Sequence, residues 1–353
     1  MKRSTDIQKR MMKVTKTGSD RQILVRDKKD EANTFSFLEI AEYIDGLPLD
    51  YERDENFQDN VYYLTTHDDI RVGFVLKFVI EEMKVVCPTI FDGIFVVDTS
   101  TAALKFRSPH FDERNAKLDA LGNVLHEKSS LEGIKGWRNE KYTVWTNGQP
   151  YVYLERAMAG IMGIITYGVH VNGYILNEVT NEIKFWIPKR SATKQTWPLM
   201  LDNIVAGGIA SGFGVYDTVL KESMEEANLI EDTIKPNIKA AGVVSYLHFM
   251  PEKTSEKFKD ESSFIVGEVE YIYDLRLPSD IIPVPNDGEV DSFNLLSLQE
   301  VIDALVSKKF KPNCGLVMVD FLIRHGYITT DNEPNYLKLV AKMHRTLPFP
   351  TAT

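Results

Sequence analysis

Two hydrophobic rhythms alternate along the chain. Residues 35–44 (FSFLEIAEYI) place apolar side chains at helical spacing, and 72–80 (VGFVLKFVI) opens a nearly continuous apolar stretch. Residues 94–98 and 103–106 read as strands flanking a turn. A helix is expected over about 112–126. Gly136-Trp137-Arg138-Asn139-Glu140 reads as a loop entering a strand. The turn cluster at 146–150 (TNGQP) is the natural linker, so the reading is a tail over 1–33, a first unit over 34–150 and a second over 151–353.

The second unit reads strand, strand, glycine loop, helix, strand, strand, helix. Residues 168–176 and 182–188 alternate like strands around a turn at 177–181. Residues 241–249 and 264–275 form a second strand pair about a charged loop at 251–262. Ser297 is placed to cap an amphipathic helix over 297–308. Two more helices are expected near 315–325 and 335–344.

Composition narrows the function. The chain has 353 residues, 43% of them apolar and 26% charged, an ordinary globular balance with room for two domains. A net charge of −10 argues against a general nucleic-acid binder, which needs Lys and Arg on phosphates. No apolar run approaches the ~20 residues of a membrane span. Cys87 and Cys314 lack metal or disulfide spacing and read as reduced, buried thiols. The first ~30 residues are basic and polar. They read as a flexible tail of a cytoplasmic protein, with a mitochondrial presequence as the alternative that Asp6, Asp20, Asp27 and Asp30 argue against.

The candidate chemistry lies between Gly207 and Leu229. A glycine-rich turn, Gly207-Gly208-Ile-Ala-Ser-Gly212-Phe213, leads into a helix carrying Glu222, Glu225 and Glu226. At 100° per residue, Leu220, Met224 and Ala227 fall on one face and the three glutamates on the other. Like charges three and four apart cost an isolated helix ~0.2–0.5 kcal/mol per pair. A hard divalent cation turns that cost into a binding site, since Mg²⁺ is held by carboxylates together with substrate phosphates. A solvated acidic face is the plain alternative.

This region resembles the Nudix box, G-x5-E-x7-R-E-U-x-E-E-x-G-U, with U a bulky aliphatic residue. Gly207 takes the first Gly, Lys221 the Arg, Glu222 the next Glu, and Glu225-Glu226 the pair. The resemblance implies Mg²⁺ or Mn²⁺ held by Glu225 and Glu226, with Glu222 as a third ligand or as the residue orienting water. Phe213 stands in place of the box's first Glu and Lys221 in place of its Arg, two residues that form a supporting salt bridge in the family. Ser223 and Asn228 also depart from the pattern, Asn being well suited to the left-handed position after a helix.

A more specific likeness extends over roughly 35–345. Its residues include 136–142 (GWRNEKY), 167–174 (YGVHVNGY), 186–197 (WIPKRSATKQTW), 201–208 (LDNIVAGG), Asp287-Gly-Glu289 and Asp320 to Gly326. Together they resemble fungal and plant Nudix proteins described as thiamin pyrophosphokinase-related. That resemblance implies an α+β chain: a smaller N-terminal α+β domain before a C-terminal Nudix fold, an α/β/α sandwich with a mixed sheet. It also implies hydrolysis of thiamin diphosphate, preferentially its oxidised and oxy analogues, to monophosphate and phosphate. No phosphate-loop lysine motif of a kinase occurs.

Around the box, Glu289 is a candidate further acid, and Glu222 and Glu289 are the candidate bases. Arg190 and Lys194 form a local basic cluster able to hold a diphosphate, Trp197 can stack on a ring, and Gly207 and Gly208 line the approach. His170, Arg324 and His325 read as structural. The expected partner is a small organic diphosphate. A nucleotide sugar or dinucleotide is the alternative substrate, and a catalytically inactive ligand-binding Nudix domain the alternative class.

Overall fold

The computed structural model describes residues 12–18, 21–26, 35–252 and 255–352. Its N-terminal part builds a four-stranded sheet from β3 (Val61–Thr65), β4 (Arg71–Leu76), β5 (Phe95–Asp98) and β6 (Ala103–Phe106), in the order β4-β3-β6-β5 with β3 and β6 parallel. The apolar stretch that opens at Val72 divides at Lys77: β4 ends there and helix α3 (Lys77–Val86) begins. Helices α2 (Glu55–Asn60), α4 (Pro88–Ile94) and α5 (Phe111–Lys128) complete this part, with a hairpin of β7 (Lys141–Thr146) and β8 (Gln149–Glu155).

That hairpin corrects the linker reading. Asn147 and Gly148 both have positive φ, +50° and +69°, the signature of a tight hairpin turn. The segment at 146–150 therefore joins two paired strands. The chain passes on through α6 (Ala159–Met162) and Gly163, whose φ of +55° lets it press against Phe74: a Cβ there would lie 2.1 Å from the Phe74 carbonyl oxygen.

The C-terminal part is a mixed six-stranded sheet. β9 (Ile165–Leu176) is its axis. One edge pairs in parallel with β13 (Val266–Arg276) along most of its length. The other edge is shared: β11 (Val205–Gly208) pairs with residues 168–171, and β10 (Ile183–Arg190) with 174–176. β12 (Ile238–His248) and β14 (Val290–Ser297) close the two sides. Alternation along β9 sends Val169 and Val171 to the face covered by α7 (Val215–Ala227). His170 and Asn172 go to the opposite face, where α10 (Pro312–Arg324) packs. Short α8 (Glu231–Ile234) follows α7, and α9 (Leu298–Val306) begins with the expected Ser297 cap, a full capping box with Glu300.

Two N-terminal segments pack with this second core. α1 (Leu38–Ile44) lies against α10 and α11 (Tyr336–Lys342), burying Ile40, Ala41 and Ile44 beside Phe321 and Leu339. Within the segment read as a flexible tail, β1 (Met12–Lys16) and β2 (Gln22–Arg26) form an antiparallel hairpin, with Met12 and Leu24 buried in the same core. The Val14 N–H donates to the Gln299 side chain and the Ile183 N–H to that of Gln22, tying the hairpin down. The tail reading is corrected over those residues; the rest of 1–11 and 27–34 lies outside the described residues. Both cysteines are buried and unpaired. No helix among the described residues is long and apolar enough to cross a membrane.

Candidate active site

α7 starts at Val215 after Gly214 and ends where Asn228, at φ +52°, takes the left-handed cap and returns its N–H to the Met224 carbonyl at 3.2 Å. Its buried face differs from the helical-wheel reading. Val219, Ser223, Glu226 and Ala227 face inward, while Met224 is 38% exposed. The helix rests on β11, where the facing strand presents glycine, so a carboxylate takes the space a larger apolar side chain would fill.

Glu226 is 9% exposed and accepts the Ala206 N–H at 2.9 Å. Burial, and then the nearby Asp202, push its carboxyl well above the ordinary range. Glu222 packs onto Gly207: a Cβ at 207 would stand 2.4 Å from its carboxylate carbon. Burial raises the Glu222 pKa, against the lowering effect of Lys221. Glu225 is half-exposed. Lys221 reaches Glu222 Oε1 at 3.0 Å and Glu225 Oε2 at 2.8 Å. Burial disfavours the ammonium, but its bonds to Glu225 and Glu222 hold it charged above the usual lysine range. With Phe213 in place of the box acid, Lys221 turns to the glutamates instead. The three glutamates thus do not share one solvated face, and no group of three His, Cys, Asp or Glu side chains among the described residues converges as a metal cage.

The other expected residues separate into two places. Lys194 pairs with Glu289, whose backbone carbonyl accepts the Ser191 N–H at 2.9 Å. Burial would raise the Glu289 carboxyl, but Lys194, then Arg138 and Arg156, hold it below the usual range. Glu289 in turn acts on Glu226, so this loop stands beside the carboxylate helix. Arg190 and Trp197 are placed differently. The Arg190 guanidinium bonds Asp202 at 2.6 Å and the carbonyls of Thr196 and Trp197 at 3.0 Å, leaving it committed to holding its own loop. The Trp197 side chain lines a separate apolar pocket of about 150 Å³ with Tyr43, Met200 and Phe310. Trp137 stacks on His126 at 4.7 Å within the first part.

Sequence reasoning named Gly207 and Gly208 but passed over the other residues on the far face of β11. A cavity of about 130 Å³ is lined there by Gly168, Gly207, Gly208, Glu268, Glu270 and Lys311, with Tyr142 and Arg156 from the first part of the chain. Tyr142 closes tightly on the strand, since a Cβ on Gly208 would lie 2.1 Å from its hydroxyl. One signal was available: Glu268 and Glu270, two apart in a strand rich in Val, Ile and Tyr, share a face. Behind them runs a buried polar chain. His170 Nδ1 lies 2.8 Å from Asn203 Oδ1, Asn203 donates to Asn172 at 3.1 Å, and Asn172 to Asp274 at 3.2 Å. The Cys314 thiol donates to Asp202 at 2.6 Å, and burial raises its pKa, the profile of a structural thiol.

Residues 54–166 match the family described as "Domain of unknown function (DUF4743)", and residues 166–314 match the "NUDIX domain" family. The chain is 60% identical over 340 residues to the Saccharomyces cerevisiae protein YJR142W, covering 96% of this chain and 99% of that one. It is 38% identical over 262 residues to Nudix hydrolase 20, chloroplastic, and 37% over 235 residues to Nudix hydrolase 24, chloroplastic, both of Arabidopsis thaliana. Those matches cover 73% and 66% of this chain but 63% and 60% of the plant proteins.

Proposed function

This chain belongs to the Nudix hydrolase superfamily, and we propose that it hydrolyses the diphosphate of thiamin diphosphate and, preferentially, of its oxidised and oxy analogues, releasing monophosphate and phosphate. The observation that carries the hydrolytic part is the seating of α7 on the glycine turn, with Glu226 on the Ala206 N–H and Glu222 on Gly207. The thiamin part rests on the sequence likeness over 35–345.

The donor chemistry fits Mg²⁺ or Mn²⁺. Glu222, Glu225 and Glu226 offer oxygen ligands only, as hard cations require. Burial raises the proton affinity of both Glu222 and Glu226; Glu225 adds to the first and Asp202 to the second. Glu226, Glu222 and, once released from Lys221, Glu225 would hold the ion, which when bound supplies neutralisation of the phosphoryl oxygens.

The chain's own groups do the rest. Lys194 and Arg156, arranged about Glu289, set a positive border on the diphosphate's approach. Glu222, seated on Gly207 beside the place the ion would take, accepts the proton of the attacking water. Glu289, held down by Lys194, is the poorer base and orients the Lys194 ammonium. The cavity beyond β11 receives the organic part.

The test is turnover of a diphosphate panel by the protein and its Glu226→Gln variant, with Mg²⁺ or Mn²⁺. The panel contains thiamin diphosphate, its oxidised and oxy analogues, ADP-ribose and dinucleotides. Preference for the thiamin compounds, lost in the variant, is expected. Preference for a nucleotide compound would discard the thiamin substrate, and no metal-dependent turnover of any member would discard the reaction.

A further inference from the structure

The cavity on the far face of β11 exists because two side chains are missing around it. A Cβ on Gly168 would lie 2.1 Å from Glu270 Oε2, and one on Gly208 2.1 Å from the Tyr142 hydroxyl. Space is thus kept open directly in front of two polar groups. Glu270 itself is only 5% exposed. Its Oε1 faces Tyr246 Oη at 3.1 Å, Asn313 Nδ2 at 3.3 Å and His170 Nε2 at 3.5 Å. Its Oε2 is buried and has no hydrogen-bond partner. A buried carboxylate oxygen left unpaired is costly, and it marks a place for a donor.

The surrounding charges narrow that donor. Burial and the neighbouring Glu270 raise the Glu268 carboxyl, favouring its neutral form. Burial works against the His170 imidazolium, but Glu270 raises it well above its usual range. Lys311 and Arg156 add two cations to the lining. The wall therefore already carries enough positive charge to balance Glu270, and a further cation has no charge deficit to fill. The fitting occupant is a neutral N–H donor. Size narrows it again: about 130 Å³ is on the scale of the ~150 Å³ apolar cavity that admits a benzene ring, too little for a purine with its ribose.

We propose that Glu270 is a specificity-determining residue whose free carboxylate oxygen accepts a hydrogen bond from an N–H of a single six-membered nitrogen heterocycle, such as an aminopyrimidine, carried by the diphosphate substrate. This deepens, and for the word substrate rests on, the hydrolase reading above. The geometry suits the linkage. Ala206, Gly207 and Gly208 line the cavity, while the Ala206 N–H and the Gly207 backbone touch Glu226 and Glu222. The backbone of β11 alone separates the ring's place from the carboxylate helix.

Binding to the metal-free, full-length protein tests this without any turnover. The calorimetric probes are 4-amino-5-hydroxymethyl-2-methylpyrimidine, its benzene isostere with the ring nitrogens and amine replaced by carbon, and adenosine. The aminopyrimidine is expected to bind at least tenfold tighter than either of the others. Glu270→Gln should lose that preference at least tenfold: its amide oxygen must answer the donors at Oε1, which turns the amide N–H₂ into the cavity, donor against donor. Equal binding of the two rings, adenosine as tight as the aminopyrimidine, or an unchanged Gln variant would each overturn the proposal. If the Gln variant does not fold, the comparison of rings on the wild-type protein decides alone. Ring binding by a protein that turns over no diphosphate would support the pocket assignment and sink the hydrolase reading instead.

Discussion

Glu222 occupies the space a side chain on Gly207 would need. A Cβ at 207 would stand 2.4 Å from the Glu222 carboxylate carbon and 2.5 Å from its Cγ. The glycine is required there for close approach, since its φ is not among the positive values.

Gly207→Ala should therefore leave the backbone at ease and displace Glu222. Moving a catalytic group by about an ångström costs on the order of 100-fold in rate. The expected outcome is a loss of that size in kcat/KM on the best diphosphate substrate, with unchanged far-ultraviolet circular dichroism. Wild-type activity in the alanine variant would show that Glu222 does not act from this position.

Glu226→Gln separates stability from function. The carboxylate is buried near Asp202 and Glu222, and its one hydrogen bond, from the Ala206 N–H, is one a glutamine oxygen can accept. Removing a crowded charge without orphaning a partner should leave the metal-free melting temperature equal or higher, while turnover falls at least ~100-fold. Sites that sacrifice stability for activity behave this way. A marked drop in melting temperature would mean that the glutamate is a structural anchor.

Asp274 offers the pH test. It takes a bidentate pair from Arg324 at 2.6 and 2.9 Å, and His325 Nε2 lies 2.9 Å away. Burial would raise its pKa, but His325 and Arg324 hold it below the ordinary range. A depressed carboxylate stabilises the fold above its unfolded pKa, near ~3.9, and that contribution is lost as pH falls through the lower folded value. Asp274→Asn should cost about 3 kcal/mol at neutral pH. Urea titrations from pH 7 to 3 should show the gap between variant and wild type narrowing only below about pH 4. A gap independent of pH would assign the cost to packing alone.

Thiol labelling checks the buried polar chain. Cys87 and Cys314 are both buried, and burial raises the pKa of each. A thiol-disulfide reagent at pH 8 should therefore label neither in the native protein within minutes and both in denaturant. Rapid native labelling of Cys314 would mean that the core behind the cavity opens readily.

Much of this site was legible in order along the chain. The glycine turn, the three glutamates, the Asn228 cap and the Ser297 capping box are local patterns, each specified within a few turns of helix. The wheel reading of α7 went astray at Met224 because helical periodicity ranks residues by hydrophobicity, whereas the facing strand admits a carboxylate at glycine and leaves the methionine outside. Arg190 belongs in sequence to the basic cluster and Trp197 follows it closely, yet Asp202 and the second pocket claim them.

The sequence by itself determined the elements and the chemistry of the carboxylate helix, because spacing, caps and turns act over short range. The tertiary structure decided which groups meet. Lys194 finds Glu289 across 95 residues, and Tyr142 and Arg156 reach a cavity walled by Glu268, Glu270 and Lys311. The hairpin at the start of the chain joins a core built from its far end. These encounters follow from β9 sharing one edge between β10 and β11 while β13 runs beside the other. That register is fixed by burial on both faces of the sheet at once, a condition no local window of sequence contains.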